Sequence, residues 1–150
     1  EEVISSVDET VSEIKRKAGS NEAGLVGFSG GAAIACLVAS RRDDIASIRT
    51  VAGNLDPNAV NRFHKVSKLE DSLNPMDVAP RIAGIPQRHF AGGRDKIIPI
   101  YVTYGFTKKL GDVSGSLVTV VPDAGHQGPW DKHWKELLNI LLVKPVKQAP

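Results

Sequence analysis

The chain has 150 residues, of which 41% are hydrophobic and 24% charged, with 14 glycines and 9 prolines scattered along it. This length is typical of one domain and the composition is that of a globular protein, which excludes disorder, collagen and coiled coil. The formal net charge is +2 and there is one cysteine, Cys36, so nothing points to nucleic acid, and neither an internal disulfide nor a thiolate zinc cluster can form.

Residues 1–17 place Val3, Val7, Val11 and Ile14 on one helical stripe, with acidic residues opening it, Lys15, Arg16 and Lys17 closing it, and Gly19 as C-cap. Residues 24–28 (Gly-Leu-Val-Gly-Phe) form a short apolar run that fits a buried parallel strand. Residues 30–42 are apolar on every side, which predicts a helix at the centre of the fold. Residues 48–52 read as a second strand, followed by a polar loop with Asn54, Asp56 and Asn58, and residues 61–73 give no firm pattern. Asn74-Pro75-Met76-Asp77 marks the start of a short helix, kept brief by Pro80 and Pro86. A third strand is predicted over 87–91, a helix over 99–110, and a β-branched fourth strand over 117–121. A last helix carries Trp130, Trp134, Leu137, Leu138 and Leu141, and residues 145–150 are a tail.

Strands alternating with helices predict an α/β domain over 1–144, with about four parallel strands covered by helices on both faces. No apolar run is long enough to cross a membrane and no signal peptide is visible. The chain begins with Glu1-Glu2 rather than Met, as a processed or trimmed chain would. No compartment is specified: cytoplasm is favoured, and a bacterial envelope location would require a signal-bearing N-terminal part.

In parallel α/β sheets, sites form at the carboxyl ends of strands. Three of those loops carry reactive side chains, in the order Ser29, Asp95, His126. Ser29 lies in Gly27-Phe28-Ser29-Gly30-Gly31, the pattern G-x-S-x-G. A serine in such a strand-to-helix turn is held in a strained corner with its hydroxyl exposed, the next backbone N–H is free to bind an oxyanion, and the flanking glycines relieve crowding. By itself the pattern arises by chance in about one chain in ten of this composition, so the downstream Asp and His carry much of the argument. The bland alternatives are a tight Gly-rich turn for Ser29 and a helix cap or surface turn for Asp95. A phosphate-cradling loop lacks the Lys it would need. Asp123 is the main rival acid, Asp77 and Asp131 read as helix-start residues, and His64, His89 and His133 lie away from strand ends. Cys36 reads as a core residue, and Trp130 and Trp134 as core or rim, with Trp130 a candidate for the pocket mouth.

Residues 27–31 resemble the nucleophile elbow of the α/β-hydrolase family. Gly92-Gly93-Arg94-Asp95-Lys96-Ile97-Ile98-Pro99 is similar to that family's acid loop, and Gly125-His126 to its histidine loop. The likeness covers residues 1–142 and implies the second half of that fold. It implies Ser29 as nucleophile, His126 as general base, Asp95 as orienting acid, the Gly30 N–H as oxyanion donor, and an ester-like small molecule as substrate, with no metal or organic cofactor. The family has further strands before its nucleophile strand, one of which leads to a second oxyanion donor; here a single helix precedes that strand. Strand 24–28 is therefore expected to present an open edge, filled by another copy of the chain or by a separate N-terminal half. A catalytically silent half-domain acting through assembly is the alternative function.

Overall fold

The computed structural model describes residues 1–67 and 72–145. Its elements in chain order are α1 (Glu2–Ala18), β1 (Ala23–Phe28), α2 (Gly30–Ala39), β2 (Ile45–Val51), α3 (Pro57–His64), α4 (Pro75–Ile82), β3 (Gln87–Gly92), α5 (Ile100–Leu110), β4 (Val118–Val121) and α6 (Trp130–Asn139). The four strands form one parallel sheet in the order β1-β2-β3-β4. All four carboxyl ends therefore open on the same side. Beyond Pro145, the expected tail lies outside the described residues.

Helices α1, α2, α4 and α5 lie on one face of the sheet. Ile48 of β2 packs there with Cys36 of α2, Ile82 of α4, and Val102 and Phe106 of α5. Helix α2 is the central one: Ala32, Ala35, Cys36, Leu37, Val38 and Ala39 are all buried, as its lack of a polar side requires. Burial pushes the Cys36 thiol up to about 12, so the thiolate that would react is not formed near neutrality. Among the described residues, the opposite face is covered by α6 alone, through Trp130 and Leu137 packed on Val51, Phe90 and Val121. The β1 part of that face stays open, with Val26 and Phe28 exposed.

Several boundaries differ from the sequence reading. Helix α2 ends at Ala39 rather than at residue 42, and beyond it Arg42 makes ion pairs with Asp8 and Asp44 that tie α1 to the start of β2. The α1 stripe is Ile4, Val7 and Val11, packed on Leu37, Val38 and Leu25, while Val3 and Ile14 face solvent. Residues 57–64, read in part as loop, form α3. Asp56 caps it by accepting from the Ala59 N–H at 3.1 Å, and Pro57 occupies its first turn. The last helix stops at Asn139, leaving Leu141 outside it and exposed. Among the described residues, no helix is long and apolar enough to cross a membrane.

A polar chain runs through the core beneath β2 and β3. Gln87, fully buried, donates its side-chain amide to the Ile82 and Ile85 carbonyls at 2.8 and 3.0 Å, which leaves its oxygen to accept from His89 Nε2 at 3.2 Å. His89 Nδ1 is then the acceptor for the Thr50 hydroxyl at 2.8 Å. Neutral His89 satisfies both neighbours, and burial lowers its pKa to about 3.

Candidate active site

The chain leaves β1 at Phe28 and turns sharply into α2 at Ser29, whose φ of 51° and ψ of −118° are unusual for a residue with a side chain. Holding such a backbone costs of order 1–3 kcal/mol, which the surroundings must offset. The Ser29 N–H donates to Val51 O at 3.0 Å, and its carbonyl accepts from Ala32 N at 3.1 Å and Asn54 N at 2.9 Å. Gly27 is required by contact: a Cβ there would lie 2.5 Å from Gly31 O and 2.6 Å from Ala32 Cα. Gly31 is different, since a Cβ there would meet nothing within 4 Å; the expected crowding is real only before the serine. Gly30 is the first residue of α2, where a backbone N–H has no intrahelical partner and is available to an anion.

Asp95 follows β3. Its side chain is 1% exposed, and Oδ1 accepts from the Ile97 and Ile98 N–H groups, each at 2.8 Å. Oδ2 is left for His126 Nδ1, 3.0 Å away. His126 follows β4 and presents its other nitrogen, Nε2, at 3.0 Å from Ser29 Oγ. A carboxylate only accepts, so Nδ1 carries the proton and Nε2 is the acceptor for the serine hydroxyl.

The acid and histidine loops are laced together by Gly93 N to Val121 O and Arg94 N to Ala124 O, both at 2.9 Å. Here two glycines permit the approach: a Cβ at Gly92 would lie 2.6 Å from Ala124 O, and one at Gly93 would lie 2.8 Å from Pro122 O. Gly92→Ala should therefore push Asp95 and His126 apart and lower Ser29 reactivity about 100-fold, the scale of a misplacement near 1 Å. Gly31→Ala should be close to neutral. Rates of labelling by a serine-directed probe in the two folded variants compare them directly.

Ser29, Asp95 and His126 thus converge, and Gly30 lies beside them. Asp123 goes elsewhere: it pairs with His133, whose ring nitrogen lies 3.0 Å from one carboxylate oxygen, and this hydrogen bond lowers the Asp123 pKa. Asp77 and Asp131 sit in the first turns of α4 and α6. His89 belongs to the core, and His64 Nε2 donates to the Ile97 carbonyl at 2.7 Å. Among the described residues, no group of three or more His, Cys, Asp or Glu side chains could hold a metal ion.

Two aromatic side chains neighbour His126: Phe28, to which the sequence gives no role at the site, and Trp130. The Phe28 ring lies against the imidazole, with centroids 5.3 Å apart. Trp130, the candidate for the pocket mouth, lines an open cleft with Val26, Phe28, Val51 and Trp134 and donates its indole N–H to the His126 carbonyl at 3.0 Å.

No protein-family model and no curated protein matches the chain. Solved structures do. The chain is similar to an esterase from Pyrococcus furiosus, with 18% identity and a TM-score of 0.67 over 90% of this chain and 59% of that one. It is similar to an α/β serine hydrolase homologue from Coxiella burnetii, with 17% identity and a TM-score of 0.60 over 89% of this chain and 54% of that one. An acylaminoacyl peptidase from Pyrococcus horikoshii matches with 12% identity and a TM-score of 0.67, over 86% of this chain and 24% of that one. The chain thus spans less than two thirds of each of these proteins. With its four parallel strands in sequential order and its helices on the sheet's faces, it carries a partial α/β-hydrolase fold.

Proposed function

We propose that the chain carries the catalytic residues of a serine hydrolase that transfers an acyl group from an ester or related carbonyl substrate to water. The observation that supports this most is the hydrogen-bonded line from Ser29 Oγ through His126 to Asp95, with 3.0 Å at each step. In this reading Ser29 Oγ attacks the carbonyl carbon while His126 Nε2 takes the hydroxyl proton. Asp95 holds the tautomer and stabilises the imidazolium, and the Gly30 N–H binds the oxyanion. The tetrahedral intermediate collapses by breaking the bond to the leaving alcohol, which departs with the proton from His126. Water, deprotonated by the same nitrogen, then attacks the acyl-serine, and the acid product and the free serine hydroxyl are released. No step needs a metal or an organic cofactor. The ester class rests on the fold's best-known chemistry rather than on a substrate contact.

The test is labelling with a fluorophosphonate, which reports an activated serine without knowledge of the substrate. Label should enter the parent chain and be lost in Ser29→Ala. A folded parent that takes no label overturns the reading.

A second reading is favoured by the open edge of β1 and by Val26 and Phe28, 53% and 45% exposed beside it. A short apolar edge strand with unpaired backbone groups is a template for another chain. Here the half-domain is silent alone and acts through assembly, with a second copy or with a separate N-terminal half that supplies further strands and a second oxyanion donor. Losing one such donor typically costs about 10²- to 10³-fold in turnover, so activity should rise when that half is added. Light scattering decides the self-assembly arm: a monomer at high concentration, with β1 amides exchanging freely, speaks against it.

A further inference from the structure

The hydrogen bonds of the His126 ring fix its two nitrogens, but they do not hold the loop from which the ring hangs. That loop joins β4 to α6, and such connections are the more mobile parts of a fold. Side chains of α6 reach back to it: His133 bonds Asp123 near its start, and Trp130 reaches the histidine itself. Trp130, in the first turn of α6, is 9% exposed and belongs to the apolar cluster that Val51 of β2, Phe90 of β3 and Val121 of β4 form with Ala124, which seats its ring against the sheet. From that seat its Nε1–H donates to the main-chain carbonyl of His126 at 3.0 Å. The Phe28 ring, which lines the same cleft as Trp130, lies beside the imidazole with centroids 5.3 Å apart at a 41° tilt. The histidine is therefore held through its backbone by Trp130 and flanked at its ring by Phe28.

We propose that Trp130 is a positioning residue for His126: the indole N–H fixes the histidine's main chain against the sheet and so keeps Nε2 within reach of Ser29 Oγ. The inference rests on the serine hydrolase reading, and it assigns Trp130 a task that apolar packing alone would not perform. The neighbouring Trp134 shares the same apolar cluster, stacking edge-on to Phe90 with centroids 6.4 Å apart, and provides the control.

Trp130→Phe keeps most of the ring and deletes the donor, whereas Trp134→Phe leaves the His126 carbonyl untouched. With both variants folded, fluorophosphonate labelling of Ser29 should slow about 10- to 100-fold in Trp130→Phe and stay near the parent rate in Trp134→Phe. Nitrogen-15 spectra of the His126 ring supply a second readout that needs no activity. In the parent, Nδ1 should appear as the protonated nitrogen and Nε2 as the acceptor; Trp130→Phe should lose this single pattern, and Trp134→Phe should keep it. If Trp130→Phe does not fold, 3-benzothienylalanine at position 130 preserves the shape and removes only the N–H. An unchanged labelling rate together with an unchanged ring spectrum overturns the proposal. So does equal slowing in both variants, which would make the effect one of packing. Failure of the parent to label would instead strike the hydrolase reading, and the ring spectra would still decide whether Trp130 positions His126.

Discussion

Asp95→Asn should fold like the parent and label at Ser29 about 10⁴-fold more slowly, the scale reached when a serine hydrolase base is held in the wrong tautomer. The size follows from how the carboxylate is held. Oδ1 accepts from two backbone N–H groups, those of Ile97 and Ile98, at 2.8 Å each. An asparagine in that place keeps its carbonyl oxygen on those two donors, because its NH₂ group cannot accept from them. The NH₂ is then forced onto the position of Oδ2, facing His126 Nδ1. Nδ1 must become the acceptor, the ring proton moves to Nε2, and Nε2 can no longer take the serine proton. Circular dichroism and the urea midpoint check that the fold is retained; the labelling rate checks the chemistry. A rate within tenfold of the parent would remove Asp95 from the role of orienting acid.

Stability should fall steeply in mild acid, and His89 is the cause. Its pKa is lowered to about 3 in the fold, first by burial and then by the charge of Arg88, partly opposed by Asp112. In the unfolded chain it returns to about 6.5. Below that value the unfolded chain binds a proton that the folded chain refuses, so stability is full above pH 6.5 and drains away as pH falls toward 3. By pH 4 the loss should reach about 3 kcal/mol, a large share of the stability of a domain of this size. Protonation would also put a second donor on the ring facing Thr50, whose hydroxyl now donates to it. Carboxylates act in a lower window: Arg42 and Lys15 lower the pKa of Asp44, so its contribution is lost only as pH falls below the ordinary carboxylate range. Urea midpoints at pH 7, 5.5 and 4 should show the decline in the parent and a flatter dependence in His89→Gln. Equal slopes in the two would assign the acid sensitivity to other groups.

The architecture was readable because its signals are local. Apolar runs bounded by turn residues marked the strands, and α2, apolar on every side, could only be a buried helix. Helix α3 was legible too: Asp56-Pro57 is the same pairing of cap and first-turn proline as Asn74-Pro75, but the surrounding asparagines read as a loop. For α1 the period was right and the face partly so: Val7 and Val11 lie on it, but Ile4 outranks Val3 only once Leu37 and Val38 are in place. Among the site residues, the positions of Ser29, Asp95 and His126 at strand ends were visible in sequence. The work of Trp130 was not, because an indole donating to a loop carbonyl leaves no pattern in composition or spacing. Nor was the core chain of Gln87, His89 and Thr50, which depends on the register that sets Thr50 beside His89.

Ser29 and His126 lie 97 residues apart in sequence. They leave from β1 and β4, the two opposite edges of the sheet. The hydrogen bond between them is thus among the most non-local contacts in the chain, and contacts of that kind are slow to form because the loop they close is long. A chain folded at one edge alone holds the hydroxyl or the imidazole, never the pair. During refolding, probe reactivity at Ser29 should therefore lag behind the recovery of helical signal, and it should be the first property lost when either edge frays.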